Sequence, residues 1–471
     1  CPMIDKKKLF DAYLLFHEGQ LALAEIERAG IRIDIEKCLA VRQDLSDKIS
    51  ACEEEFKKTF LFQTWEKTFS DRTNILSNVQ LEHVLFKVLK LKPIKATAKG
   101  RNATDEESLM QLGIADVNVL LRYRKLRKIR DTYLEGFIHE QTDGVLHPFF
   151  NLHTVRTYRS SSDHPNFQNI PRRDTFARDT TRKVIFPRKG HQLLEVDYSG
   201  LEVSIAACYH KDPEMLKYLK SGADLHSDLA KKIFNVPVID KTIPVYKKLR
   251  DAAKNGFVFP QFYGDYYKNN VDRICDWIGL SPSREIKEWD DSAGIKFPSG
   301  LTIAQHLKKQ GIKCPNDFEA HMARVERWFW KEKFKVYDEW KSKWVASYQK
   351  QGYFQTLTGF ICKGEMRKNE VVNYPIQGSA FHCLLWSLIQ LVKIQKKEGW
   401  DSRIVGQIHD SMIVDVNPAE LMHVAKVIKK VTCEDLPRVW QWIIVPLSVE
   451  MELCPVDSDW TCKKLWEIPE T

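Results

Sequence analysis

The chain changes its hydrophobic rhythm several times, and each change marks an element. Residues 8–60 carry apolar side chains such as Leu14, Leu21, Leu23 and Ile26 at helical intervals, interrupted at Ala29-Gly30 by the strand-like Ile31-Arg32-Ile33-Asp34. This predicts helix, short strand, helix. Residues 65–145 alternate polar loops with helices, one of them a long basic stretch at 120–130. The run Leu193-Leu194-Glu195-Val196-Asp197-Tyr198-Ser199 reads as a strand that delivers a carboxylate and then turns into a helix. Residues 216–350 are mostly helical, with a polar, Gly/Pro-punctuated interruption near 280–316 that reads as an insertion. From 400 onward strands return: Ile404-Val405-Gly406-Gln407-Ile408, Met412-Ile413-Val414-Asp415-Val416 and Val445-Pro446-Leu447-Ser448-Val449-Glu450. Internal repeats and low-complexity tracts are absent.

At 471 residues the chain is too long for one simple core, so two or three lobes are expected. The hydrophobic fraction of 43% supports a packed, soluble protein. A balance of 72 Lys+Arg against 63 Asp+Glu gives +9, which suits a polyanionic partner without establishing one. Eleven cysteines without a Cys-x-x-Cys pair indicate neither a disulfide framework nor a structural zinc, and hence a reducing, intracellular setting. No apolar run reaches the roughly 18 residues of a membrane span, the nearest lying around 384–394. The opening Cys1-Pro2-Met3, with no signal-peptide pattern after it, points to a piece of a longer protein.

Three constellations bear on chemistry. Asp197 and Asp410, the latter in Gln407-Ile408-His409-Asp410-Ser411, both stand at the end of strand-like runs. Two such carboxylates side by side would hold a pair of magnesium ions for in-line displacement, although a solvated strand-end acid is the blander reading of either alone. Arg250 and Lys254 lie one helical turn apart, followed by Phe259, Tyr263 and Gly264. That face could grip a triphosphate while its aromatics pack on base and sugar. Thr157-Tyr158-Arg159 and Asn166-Phe167-Gln168-Asn169 combine Arg, Asn and Gln, which either cap turns or track base edges in a minor groove. The basic stretch at 120–130 divides evenly between a solvated helix face and a phosphate contact. Asp34-Ile35-Glu36 looks like an exonuclease triplet but sits at a helix start, where acids favour the dipole. The aromatics Trp328, Phe329, Trp330, Phe334, Tyr337, Trp340 and Trp344 have the spacing of core packing rather than base stacking.

Taken together and in order, these blocks resemble the polymerase portion of the A-family DNA polymerases, the group of bacterial DNA polymerase I and several phage replicases. Asp197-Tyr198-Ser199-Gly200-Leu201-Glu202 is similar to the family's first motif, Arg250-x3-Lys254 through Tyr263-Gly264 to its second, and Gln407-Ile408-His409-Asp410 to its third. Thr157-x-Arg159, Pro165 to Pro171, Ala223-Asp224-Leu225-His226 and Asn373-Tyr374-Pro375-Ile376-Gln377-Gly378 add four blocks in the family's order. The similarity runs from about residue 12 to Trp460.

The resemblance implies an α+β right-hand fold with an antiparallel-sheet palm: a lead-in at 1–20, mainly helical thumb at 21–148, palm at 149–215 and 355–471, and mostly helical fingers at 216–354 with the insertion near 280–316. It also implies template-directed DNA synthesis, with primer-template DNA and deoxynucleoside triphosphates as partners. Two Mg2+ ions would serve as cofactors, manganese being able to substitute, in a monomer without membrane attachment. A phage-encoded protein would act in the cytoplasm of a bacterial host. Asp197 and Asp410 would be catalytic, holding metal with the Tyr198 carbonyl. Arg250, Lys254 and His226 would hold the triphosphate. Tyr263 would guard the templating position, and Glu202 would sit beneath the sugar and exclude a 2′-hydroxyl. Arg159, Asn166, Gln168, Asn169, Gln377 and His409 would meet the primer–template minor groove, with Arg130 as a further backbone contact.

The chain also departs from the pattern. Between Lys254 and Tyr263-Gly264 it carries one residue more than the family's spacing, so counting back from Tyr263 gives Phe259 the nucleotide-facing slot and counting on from Lys254 gives Val258. Pro260 cannot donate to the Gly256 carbonyl, which predicts a π-bulge or kink that absorbs the insertion and returns Phe259 to the nucleotide face. With Phe259 in that slot, the family pattern implies poor use of dideoxynucleotides. Ser411 replaces the glutamate that commonly follows His-Asp, leaving a two-aspartate site. Gly200, Ser204 and Phe360-Ile361-Cys362 depart further, toward a phage-like branch. Ser411 also fits single-subunit phage RNA polymerases, against which Glu202 and the minor-groove blocks argue. A catalytically inactive DNA-binding relative is a third reading, opposed by retention of both aspartates.

Overall fold

The structure, a computed structural model, describes residues 4–97, 100–172 and 174–469; Cys1-Pro2-Met3 lies outside them. A five-stranded antiparallel sheet carries the candidate acids. Gln192–Tyr198 runs through its middle, between Val449–Leu453 and Ser411–Val416, with Lys464–Leu465 and Arg403–Ile408 at the edges. Side chains alternate between two cores. Leu194, Val196, Tyr198, Met412, Val414 and Val416 pack on one side, while Leu193, Val405, Ile408 and Ile413 pack on the other. Both faces are covered, which is why these strands read as nearly continuous apolar runs.

The helix Lys368–Glu398 lies beneath the first face, with Leu384, Leu385, Leu388 and Leu391 fully buried. Tyr198 Oη and Ser387 Oγ, 2.9 Å apart, tie it to the central strand. Gly378 allows its closest approach to the loop before the sheet, because a Cβ there would stand 2.3 Å from the Thr157 carbonyl. The loop residues Tyr158 and Arg159 are thereby pressed against this helix.

The N-terminal pattern folds as its periodicity predicts. The helix Lys6–Ala29 ends at Gly30, and Ile31–Ile33 pairs with both Val145–Leu146 and Ile185–Phe186. Asp34 caps the helix Ile35–Lys57, accepting from the Lys37 amide at 2.9 Å, so the Asp34-Ile35-Glu36 triplet starts a helix. The expected division at residue 20 falls inside the unbroken helix Lys6–Ala29, and those at 215 and 354 fall inside Pro213–Ser221 and Tyr353–Gln355.

Residues 216–351 are mainly helical, as expected, and the segment near 280–316 is docked rather than projecting. Trp289, Phe297, Ile303, Leu307 and Ile312 join the main core, and His306 Nε2 lies 2.8 Å from the Phe234 carbonyl. Phe329, Phe334 and Tyr337 are buried and Trp330 nearly so, which identifies the aromatic series as core. Among the described residues the cysteines are free, and no helix is long and apolar enough to cross a membrane.

His382 is wholly buried among Phe16, Phe360 and Phe381, with one ring nitrogen 2.7 Å from Thr358 Oγ1 and the other 2.9 Å from the Tyr158 carbonyl. Burial lowers its pKa to about 3. The folded state therefore stays neutral while the unfolded state takes up a proton below the ordinary histidine value. Stability from this group is present above about pH 6.5 and is lost as pH falls toward 3. From pH 7.5 to 5 this one group should cost roughly 2 kcal/mol. Urea unfolding of wild type and His382→Gln at both pH values should show a correspondingly smaller pH dependence in the variant.

Candidate active site

Strand register brings the two acids together. Asp197 is directly opposite Ser411, and the Tyr198 amide donates to the Asp410 carbonyl at 3.3 Å. His409 and Asp410 form the tip of the hairpin between Arg403–Ile408 and Ser411–Val416, with His409 exposed at φ +55°. Ser411 is buried and its hydroxyl donates to the Ile408 carbonyl at 2.9 Å, so it closes the hairpin.

Burial and the neighbouring Asp197 charge hold the Asp410 carboxyl well above the usual carboxylate range. Asp197 Oδ1 is buried without a hydrogen-bond partner. Two adjacent carboxylates short of countercharge, offering hard oxygen donors, suit a divalent cation such as magnesium. Among the described residues no three His, Cys, Asp or Glu side chains converge as a metal cluster; the acids that meet are a pair. Arg172 is the cation found at that pair, with Nη2 2.9 Å from Asp197 Oδ2.

The helix after Asp197 begins at Leu201, behind Gly200 at φ +61°, and its first turn presents Glu202. The Glu202 carboxylate accepts hydrogen bonds from Arg159 Nη2 and from Tyr263 Oη. Tyr263 is also held at its other end, because its carbonyl accepts from Asn373 Nδ2 at 3.1 Å while the Gly264 carbonyl accepts from Asn369 Nδ2 at 3.2 Å.

Arg250, Lys254, His226 and Phe259 gather on two facing helices. Asp224 caps the helix Leu225–Phe234 and accepts from Arg250 Nε at 2.7 Å. Burial opposes the Asp224 charge, but hydrogen bonds from Arg250 and Ser227 outweigh it and hold the carboxyl below its usual range. Burial, reinforced by Lys254 and Arg250, lowers the His226 pKa to about 4, so its imidazole is neutral at physiological pH, with Nδ1 buried and unpartnered. Lys254 Nζ lies 5.4 Å from the Phe259 ring centroid, and the His226 and Phe259 rings are 5.7 Å apart. Among the described residues Lys254 has no ion-pair partner.

The extra residue is absorbed as the proline predicts. After the helix Pro244–Ala253, residues Lys254–Val258 form a π turn in which the Phe259 amide donates to the Lys254 carbonyl, and α-helix resumes at Phe259–Phe262. Val258 is fully buried in the core, and Phe259 turns toward Lys254 and His226.

The expected minor-groove residues separate into two groups. Asn166 and Asn169 are exposed, although Asn166 Oδ1 caps the turn Phe167–Asn169, and Gln377 is half-buried on the helix Lys368–Glu398. Gln168 is only 8% exposed, with Nε2 2.8 Å from Ser160 Oγ and 2.6 Å from Gln407 Oε1. Gln407 in turn donates to the His409 carbonyl at 2.7 Å, so Gln168 positions the hairpin tip from beneath it. Arg130 is not gathered with these residues. Its guanidinium bonds Asp131 and Ser46, and its neighbours Arg122, Lys125 and Arg127 pair with Glu55, Asp174 and Asp131. Arg172, Asn369, Asn373 and Gln407 were not singled out by sequence; only Asn373 and Gln407 lay inside motif blocks.

The sheet with its carboxylate pair, the overlying helical region and the cationic helix face make up the right-hand fold of a nucleic-acid polymerase. The family model for DNA polymerase family A matches residues 36–269 and 316–460, and the chain belongs to that family. The unmatched interval covers nearly all of the docked segment at 280–316. The chain is 27% identical to a thermostable DNA polymerase I of Thermus thermophilus over 471 aligned residues, covering 96% of this chain and 48% of that protein. It is 27% identical to the DNA polymerase of Bacillus phage SP01 over 389 residues, covering 77% and 37%. The chain thus spans about half the length of the curated relatives it matches. Among solved structures, the polymerase domain of Pol1 from M. smegmatis, in complex with DNA primer-template and dNTP, superposes with a TM-score of 0.71 at 25% identity, covering 94% of this chain and 69% of that one.

The π turn rests on a close helix contact, since a Cβ on Gly256 would lie 2.7 Å from Ile274 Cγ1. Gly256→Ala should cost about 1–3 kcal/mol of stability by overpacking this contact, measured by urea denaturation.

Proposed function

We propose that this chain carries template-directed DNA polymerase activity, adding deoxynucleotides to a primer 3′ end with release of pyrophosphate. The observation that carries this reading is the juxtaposition of Asp197 and Asp410, with Glu202 and Tyr263 joined beside them. In this reading residues 149–215 and 355–471 are palm, 216–354 fingers and 21–148 mainly thumb. Asp197, Asp410 and the Tyr198 carbonyl would hold two Mg2+ ions, which when bound stabilise charge on the attacking and leaving oxygens.

The protein's own groups do the rest. Arg250 and Lys254 grip the triphosphate as cations, and His226, neutral, contributes a hydrogen bond instead of charge. Phe259 packs beside them against the nucleotide. Glu202, braced by Arg159 and Tyr263, cannot withdraw from beneath the sugar without breaking two charge-assisted bonds, which makes it a rigid filter against a 2′-hydroxyl. Asn166, Asn169, Gln377 and His409 face the primer–template minor groove, with Gln168 setting the hairpin tip. Primer-template DNA and deoxynucleoside triphosphates are the partners, in keeping with the +9 balance.

Primer extension with Mg2+ and four deoxynucleotides tests the reading. Asp197→Ala and Asp410→Ala should each lower the rate by more than about a thousandfold while primer-template affinity stays within a few fold, and full activity in both would overturn it. Efficient unprimed synthesis from ribonucleotides would favour an RNA polymerase instead. Phe259→Tyr should increase dideoxynucleotide incorporation, read as denser termination ladders at equal ddNTP:dNTP ratio.

A further inference from the structure

Arg172 stands apart from the other cations near the sheet because its partner is one of the two acids assigned to metal. Its Nη2 lies 2.9 Å from Asp197 Oδ2, and its side chain is 57% exposed. The neighbouring cations are committed elsewhere. Arg182 is buried with its guanidinium 4.1 Å from the Trp460 ring centroid and 3.7 Å from Glu195, and Arg159 is bonded to Glu202. Arg172 belongs to the connection between the turn Phe167–Asn169 and the helix Thr175–Arg182, outside both elements.

A guanidinium on Asp197 Oδ2 and a divalent cation on the unpartnered Oδ1 would repel each other across one carboxylate, so each weakens the other's hold. Ser411, opposite Asp197, brings no carboxylate of its own, and Arg172 is the cation paired with Asp197. We propose that Arg172 is an internal counter-cation that occupies the Asp197 half of the metal site in the nucleotide-free protein and yields it when metal and nucleotide enter together. This rests on the reading of Asp197 as a metal ligand. Arg172 therefore weakens metal binding to the empty protein and links cation uptake to the arrival of the polyphosphate, whose charges offset the loss of the Arg172–Asp197 pair.

The test is Mn2+ binding to the full 471-residue chain without nucleotide or DNA, read from the paramagnetic resonance signal of free Mn2+. Arg172→Gln should tighten the first Mn2+ by about three- to tenfold, the scale of one partly exposed charge-assisted pair. Arg172→Lys, keeping charge without the planar fork, should fall between wild type and Arg172→Gln. The gap between wild type and Arg172→Gln should shrink when a deoxynucleoside triphosphate is present. Unchanged or weaker Mn2+ binding in Arg172→Gln, with binding abolished by Asp197→Ala, would overturn the proposal and leave the metal assignment standing. Mn2+ binding and primer extension that both survive Asp197→Ala would remove the metal assignment itself, and the proposal with it.

Discussion

Everything at the sheet's working edge depends on one antiparallel register, the pairing that sets Ser411 against Asp197 and ties the Tyr198 amide to the Asp410 carbonyl. A shift by one residue would turn Asp197 into the core occupied by Val196 and Tyr198, and bring an apolar side chain to the edge. Two features hold the register. On one side Tyr198 and Ser387 join the central strand to the long helix beneath. On the other, Glu195 is buried with Trp460 Nε1 at 2.9 Å and Lys463 Nζ at 2.7 Å. A buried carboxylate with these partners tolerates no slip, because a slipped strand would strand a charge in the core.

Within this frame the site is a set of neutralised charges more than a row of free functional groups. Glu202 is shared by Arg159 and Tyr263, Arg250 is answered by Asp224, and Asp197 by Arg172. Of the two cations assigned to the triphosphate, Lys254 is the one without such a partner among the described residues. In the proposed reading it is accordingly the first group a triphosphate meets without displacing a protein contact.

Much of this was legible in the sequence because it depends on period and order. The run 193–199 reads as a strand that delivers a carboxylate, Pro260 four residues after Gly256 predicts a π-bulge or kink, and Asp34 stands at a helix start. What escaped were contacts set by tertiary approach. Gln168 looked like its exposed neighbours Asn166 and Asn169, yet the three-residue turn sends it inward to Ser160 and Gln407. Arg130 lay in a basic stretch where it and Arg127 bond the nearby Asp131, while Arg122 and Lys125 pair with Glu55 and Asp174 of other elements, which no local pattern reveals. Arg172 and Asn369 act through partners 25 and 105 residues away, respectively.

The π turn at Lys254–Val258 has a consequence for comparing this chain with its relatives. Helical phase, not residue count, is what places a side chain, and here one added residue is taken up within a single wide turn so that everything after it keeps its angular position. In the proposed reading, positions on the two sides of the turn therefore belong to different numerical offsets from the family's spacing. In the proposed reading, an alignment forced through without a gap would exchange the buried Val258 for Phe259, the ring beside Lys254 and His226, and would assign the nucleotide-facing role to the wrong side chain.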